Sequence, residues 1–291
     1  MKTVPQAMQQ FIFGLEIPSC ENGTCGRCDS CSVRRQRDAL RGHLETGLSV
    51  SEFRISGSFD RSTAVRPLHD IDLFVVLNRD DQSTPASLLA RIRQLLGDAY
   101  PNKEQPKEQS RSISVEFTGT GLSFDVVPAY PHPDGGYSIP DRDVERWIRS
   151  DPRIHHEHSV ERNKLAGDMA KPIVKALKRW NQSQAKKVVG SFHLELMVYD
   201  VLRSKPTSFA EGIAESLQGL ASRVTAPMPE PAGIGPDVDA RLTRDARKVA
   251  STAFQAAARD AGRAVDADQR GRPSEAHQVW RALLGSDYQS T

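Results

Sequence analysis

The stretch Ser56-Gly57-Ser58-Phe59-Asp60-Arg61-Ser62-Thr63-Ala64-Val65-Arg66-Pro67-Leu68-His69-Asp70-Ile71-Asp72-Leu73-Phe74-Val75-Val76-Leu77 decides the fold. Its second half, from Asp70 to Leu77, is rich in β-branched and other apolar residues and reads as a core strand. Asp70 and Asp72 stand two apart on it, so both carboxylates point to one face. Two like charges held against an apolar strand repel unless something cationic sits between them. Hard divalent cations such as Mg2+ take carboxylate oxygens and keep open positions for phosphate. Gly57-Ser58 follows Phe53–Ser56, a strand running into a turn. A glycine there lets backbone approach a phosphate closely, and the Ser58 hydroxyl and nearby amides can donate to its oxygens. A third carboxylate, Asp125, lies inside the apolar strand Leu122–Val127, where an unpaired ionised side chain is expensive. Taken singly, a D-x-D pair is most often a solvated strand end, and a Gly-Ser turn is weaker still. In this order, with the third strand aspartate, they describe a two-metal phosphoryl- or nucleotidyl-transfer site.

Working outward, residues 4–16 place Val4, Met8, Phe11, Ile12 and Leu15 on one helical face. An arginine-rich helix is expected from Val33 to about Leu44, ended by Gly47. Residues 85–97 read as helical, a polar stretch covers 101–111, and Ile113–Phe117 is a further strand. From Asp141 on, the pattern is helical, at 141–149, 160–180, 190–203 and 208–222. The loop Pro227–Gly233 interrupts it. Beyond that loop Leu242, Ala246, Val249, Ala253 and Ala257 keep a helical period, and a last helix from Ser274 buries Val279, Trp280, Leu283 and Leu284. The tail Ser286–Thr291 reads as a frayed end. The organisation is therefore α+β: a mixed sheet flanked by helices over residues 1–140, then an all-α domain over 141–291.

Composition excludes several classes. In 291 residues, 38% are hydrophobic and 26% charged, a globular profile. Lys+Arg 39 against Asp+Glu 37 gives a net charge of +2, too balanced to signal nucleic-acid binding by bulk charge. No run approaches the roughly 18 apolar residues of a membrane span. All four cysteines lie at Cys20, Cys25, Cys28 and Cys31, spaced C-x4-C-x2-C-x2-C. A disulfide framework would be spread along a small secreted chain, whereas four thiolates packed this tightly suit one tetrahedral metal. One structural Zn2+ and a reducing, cytoplasmic setting follow; an iron–sulfur cluster is the minority alternative. His155-His156-Glu157-His158 has consecutive potential ligands in a polar segment and reads as structural rather than metal-binding. Tyr130 could stack on a purine, but an aromatic after a strand is more often core.

The run from Ser56 to Leu77 resembles the nucleotidyltransferase signature of bacterial CD-NTases. These are the cyclic-oligonucleotide synthases of CBASS anti-phage systems, related to animal cyclic GMP-AMP synthase and oligoadenylate synthase. The similarity continues through Phe124-Asp125-Val126-Val127-Pro128-Ala129-Tyr130, Leu177-Lys178-Arg179-Trp180-Asn181, Ser191-Phe192-His193-Leu194-Glu195, Glu230-Pro231-Ala232-Gly233 and the alanine-rich C-terminal helices. The resemblance implies a polymerase-β-like core with an oligoadenylate-synthase-like helical domain. It implies that Asp70, Asp72 and Asp125 hold two Mg2+ or Mn2+ ions, and that Gly57, Ser58, Lys178 and Ser191 contact the phosphates of ATP, GTP or another nucleoside triphosphate. Read from the residues alone, Lys178 is equally a solvated helix lysine and Ser191 a helix N-cap.

The cysteine cluster departs from that family. Cys25-Gly26-Arg27-Cys28-Asp29-Ser30-Cys31 followed by Arg34 resembles the zinc knuckle of 7-cyano-7-deazaguanine synthases and, less closely, that of RecQ-type helicases. Animal relatives carry a zinc-bearing element near a nucleic-acid-binding face, so Arg34, Arg35, Arg37 and Arg41 raise a nucleic-acid activator beside CBASS regulatory and effector proteins as partners. The same arginines also fit a solvated helix face. The expected activity is condensation of nucleoside triphosphates into a cyclic di- or trinucleotide with release of pyrophosphate. Alternatives are a linear oligonucleotide synthase, an RNA 3′-end nucleotidyltransferase and a non-catalytic sensing module; three clustered carboxylates argue against the last.

Overall fold

In the computed structural model, residues 2–18, 28–68, 70–78, 83–100 and 104–290 are described. Their contacts divide the chain into two units, and the division does not follow the linear boundary expected at 140/141. One unit is residues 17–155 with 232–236; the other joins residues 1–16 to 156–231 and 237–291.

The first unit is built on a mixed sheet. Its strands are β1 (Val50–Ser56), β2 (Asp70–Leu77), β3 (Lys107–Glu108), β4 (Ile113–Phe117), β5 (Leu122–Pro131), β6 (Tyr137–Asp141) and β7 (Arg146–Ser150). The path runs β1-β2-β5-β4-β3, with β6 pairing β5 and β7. β2 and β5 are parallel; the other pairs are antiparallel. Alternation along β2 sorts its side chains. Ile71, Leu73, Val75 and Leu77 enter a core shared with Leu40 and Leu44 of α2 (Asp29–Glu45) and with Leu88, Leu89, Ile92 and Leu96 of α4 (Pro85–Ala99). Phe74 and Val76 turn to the opposite face and join Ala129, Tyr137 and Ile139 in a smaller core. Asp70 and Asp72 share the phase of Phe74 and Val76. The large core therefore excludes them, and the strand presents them on the other face.

Two expectations in this unit are corrected. Residues 141–149 are not an α-helix: a short 3-10 turn (Arg142–Val144) and left-handed Glu145 (φ 49) turn β6 into β7. The period of two wins there because Trp147 covers Tyr130, rings 5.2 Å apart, while Ile148 packs on the smaller core. The arginine-rich helix starts at Asp29 with Cys28 as its N-cap, so Cys28 and Cys31 belong to its first turn.

The second unit is all helical. It contains α1 (Val4–Gly14), α5 (Pro152–Leu165) from residue 156 on, α6 (Ala170–Ser183), α7 (Ser191–Val201), α8 (Phe209–Arg223), α9 (Arg244–Gln269) and α10 (Pro273–Leu284). The apolar face expected on α1 is buried at all five positions. The stretch expected to be one helix over 160–180 is broken because Gly167 and Asp168 both take positive φ (58 and 63). On α9 the buried ladder is Ala250, Phe254, Ala257, Ala261 and Ala264, whereas Val249 is 71% exposed. The expected face was thus slightly out of phase, since small alanines rather than valine line the seam. The Pro-rich loop is pinned by Asp239, which accepts the Met228 N–H at 2.9 Å and pairs with Arg247. The tail does not fray: Tyr288 is fully buried, its hydroxyl 2.9 Å from His277 Nδ1, and Lys2 N–H donates to Ser290 O at 3.0 Å.

Candidate active site

The three aspartates come together because of strand register. Asp72 on β2 stands directly opposite Asp125 on β5, and Asp70 opposite Ser123, in the parallel pair. Partners in such a pair point to the same face, so both carboxylates project from one end of the sheet beside Asp70. Asp70 is exposed, while Asp72 and Asp125 are half-buried.

β1 completes the arrangement from the other side. Ser56, its last residue, pairs with Asp72. The chain then turns sharply into α3 (Gly57–Asp60), a single helical turn. Gly57 has φ +66, and a Cβ built on it would lie 1.6 Å from Oδ2 of Asp72. Only glycine fits both the left-handed backbone and the contact. The turn is fixed behind the site as well: Thr63 and Ala64 N–H both donate to Ser58 O, at 2.8 and 2.9 Å.

Electrostatics distinguish Asp125. Burial pushes its carboxyl above the usual carboxylate range and the charge of Asp70 adds to the rise, while hydrogen bonds from Ser114 and Gln109 pull it partly back. Gln109 Nε2 donates to Asp125 Oδ1 at 3.1 Å, and Ser112 Oγ donates to Gln109 Oε1 at 2.9 Å, which fixes the amide. Sequence reading missed Gln109, which falls in the polar stretch 101–111 that carries no motif. Ser114 was recoverable, because its strand pairs with β5 and brings it opposite Asp125.

The donor chemistry suits a hard divalent cation: three carboxylates on one face of the sheet, with Asp125 raised by burial and by the charge of Asp70. Among the described residues, no three His, Cys, Asp or Glu side chains close into a ready-made metal cage.

Other expected residues lie in the helical unit. Lys178 on α6 is not solvated: it is 3% exposed, and Nζ donates to Glu195 Oε2 at 2.7 Å, with Glu195 fully buried. Ser191 is not an N-cap, because Gly190 occupies that position and Ser191 is the first helical residue of α7. Tyr130 is core, 7% exposed. His155, Glu157 and the two neighbouring histidines lie on α5, where His158 packs edge-on against Tyr199. Cys20 and Cys25 lie outside the described residues. No described helix is long and apolar enough to cross a membrane.

A profile of the Second Messenger Oligonucleotide or Dinucleotide Synthetase domain matches residues 3–163. The chain is a member of that synthetase family. A cyclic AMP-AMP-AMP synthase of Acinetobacter sp. is 30% identical over 300 residues, covering 96% of this chain and 84% of the relative. A CBASS oligonucleotide cyclase CdnC of Escherichia coli is 30% identical over 186 residues, covering 60% of this chain and 58% of its own. The solved E. coli MS115-1 CdnC with ATP superposes with a TM-score of 0.72 at 23% identity, covering 98% of this chain and 99% of the other; the same protein has been solved in a complex named CdnC:HORMA-deltaN. The synthetase is thus a nucleotidyltransferase of the CD-NTase type, with the mixed sheet and flanking helices expected from its sequence.

Proposed function

We propose that the synthetase joins nucleoside triphosphates into a cyclic oligonucleotide second messenger for CBASS anti-phage defence and releases pyrophosphate. The observation that carries this reading is the register of Asp72 against Asp125 with Gly57 closed onto the Asp72 carboxylate. Asp70, Asp72 and Asp125 would hold Mg2+ or Mn2+. Two such ions would neutralise the donor phosphates and lower the pKa of the attacking ribose hydroxyl.

The chain's own groups have separate tasks. Gly57 lets the turn close onto the Asp72 carboxylate, and Ser58 supplies a hydroxyl and an amide donor to the phosphate. Asp125 is held in position by Gln109 and Ser114, whose hydrogen bonds offset part of the rise that burial imposes; ionised, it would bind a cation. Lys178 and Ser191 enter as phosphate contacts on the strength of the resemblance. For Lys178 that role requires its ammonium to share or leave the Glu195 carboxylate.

The names of the relatives favour a trinucleotide containing adenine as product and ATP as a substrate. The CdnC:HORMA-deltaN complex of the E. coli protein favours a HORMA-type protein as a regulatory partner. Incubation with each nucleoside triphosphate singly and in pairs, with Mg2+ or Mn2+, then phosphatase and mass spectrometry, tests the reading. A phosphatase-resistant cyclic product is expected. Linear products alone would move the protein to oligoadenylate-type synthesis or RNA tailing.

A further inference from the structure

Arg153 is a locked, charged group on the carboxylate-bearing side of the sheet to which nucleotidyl transfer, as described, gives no task. Antiparallel pairing sets Ser56, Arg54 and Glu52 of β1 directly beside Asp72, Phe74 and Val76 of β2, so all six side chains share that face. Phe74 and Val76 are covered there by Tyr137 of β6, whose ring meets Phe74 edge-on at 5.1 Å. The Tyr137 hydroxyl donates to Glu52 Oε2 at 3.4 Å, and Arg54 binds the other oxygen of Glu52 at 2.6 Å.

Arg153, in the first turn of α5, rests on that tyrosine. Its guanidinium carbon lies 5.0 Å over the centroid of the Tyr137 ring, within the range of a cation–π contact. Asp151 fixes the orientation of the fork. Nε donates to Asp151 Oδ1 at 3.0 Å and Nη2 to Oδ2 at 2.7 Å, while the Arg153 backbone N–H also reaches Oδ1 at 3.0 Å. Asp151 is buried, yet the Arg153 side chain is 47% exposed. Among the described residues, no group is bonded to Nη1. One side of the guanidinium is therefore taken by Tyr137 and one edge by Asp151, and the remainder is open. Capping of α5 accounts for Asp151 but not for a guanidinium held against a ring. A long side chain that ordinarily loses rotamer freedom on binding has here lost it on folding.

We propose that Arg153 binds the base of the nucleoside triphosphate substrate, stacking its open side on the ring and donating from Nη1 to the base edge. The inference rests on the nucleotide site placed at Asp70, Asp72 and Asp125. Phe74 stands two residues, about 6.6 Å, from Asp72 along β2. Tyr137 and Arg153 follow in two contacts of 5.1 and 5.0 Å. A nucleotide gripped by its phosphates at the carboxylates is of the size to bring its base to Arg153.

The chemistry of the group sets what it selects. A guanidinium plane stacks on any base, as it does on an aromatic ring. Nη1 carries only donors, so it favours an edge that presents acceptors, such as the ring nitrogens of adenine, over an amino group. A lysine at this position would supply the charge without the plane.

The test is calorimetric binding of two probes to the full chain with Mg2+. One is an ATP analogue with a methylene group between its α and β phosphorus atoms, which cannot be consumed. The other is inorganic tripolyphosphate, which has the phosphates and no base. The parent should bind the analogue more tightly. Arg153→Ala should weaken the analogue by about 10-fold or more, as removal of a stacking partner does, and leave tripolyphosphate within about twofold. Arg153→Lys should lose most of the same affinity. Thermal melts check that each variant folds, and the lysine variant carries the test if the alanine one does not. Unchanged analogue binding by Arg153→Ala, an equal loss for both probes, or full affinity in Arg153→Lys would each overturn the proposal and leave the nucleotide site standing. A parent protein that binds neither probe would refute that site, and the proposal with it.

Discussion

Replacing Gly57 by alanine places a methyl carbon 1.6 Å from Oδ2 of Asp72, where real Cβ atoms essentially never come closer than 3.0 Å. The carboxylate must therefore withdraw by roughly 1.4 Å, or the strand-to-helix turn must open by as much. A displacement of about 1 Å at a reacting centre costs on the order of 100-fold in rate, so kcat should fall at least that far. The backbone contributes separately. At φ +66, a Cβ costs roughly 1–2 kcal/mol, which for a chain of this size is a melting-temperature loss of about 2–8 °C. Gly121→Ala separates the two effects: Gly121 has φ +69 with nothing within 4 Å of where its Cβ would stand, so it carries the strain without the collision. Initial rates of pyrophosphate release and thermal melts on both variants make the comparison. Similar melting losses with a rate collapse confined to Gly57→Ala are expected. A Gly57→Ala protein turning over within about threefold of the parent would refute the claim that Asp72 must sit against this turn.

Three further perturbations follow from the geometry. Asp125→Asn should raise the melting temperature of the metal-free protein at neutral pH. Because the folded carboxyl titrates above its unfolded value, the folded state binds more protons over that interval and loses stability as pH rises through it; the advantage of asparagine should vanish below the usual carboxylate range, and a constant advantage at every pH would contradict the assignment. Gln109→Leu removes a donor that holds the Asp125 carboxyl down, so the acid limb of the pH–rate profile should move to higher pH; an unmoved limb would remove Gln109 from the site. Lys178→Met alone strands a fully buried carboxylate and should cost about 3–5 kcal/mol by denaturant unfolding, while pairing it with Glu195→Leu should recover most of that. In the double variant, a raised KM for nucleoside triphosphate would support a phosphate contact for Lys178, and an unchanged KM would leave it a structural ion pair.

Much of the sheet was legible because local pattern and tertiary demand agree there. Asp70–Leu77 begins with carboxylates alternating with apolar residues and continues as an apolar run on a strand whose two faces meet different partners, so one reading satisfies both the period and the charges. The bounds of β2 and β4 were therefore recovered from sequence. The β6–β7 hairpin was lost because Arg142 to Arg149 is polar enough to look helical, and its strand character comes from Trp147 and Ile148 packing on residues distant in sequence. The same limit hid Gln109, whose meaning lies in a register that brings it to Asp125. The C-terminal tail was misread for a related reason: Tyr288 is anchored by His277 and Phe11, partners a short polar segment does not advertise. Where the family resemblance supplied residues, the aspartates arrived on one sheet face, while Lys178 arrived already paired.

The most direct measurement is product formation from α-labelled nucleoside triphosphates with Mg2+ or Mn2+, by the parent protein and by an Asp70→Ala plus Asp72→Ala variant shown to melt cooperatively. The predicted result is a phosphatase-resistant product that requires divalent metal and is absent from the variant. An equal yield of that product from the folded variant would contradict the placement of nucleotidyl transfer at this end of the sheet.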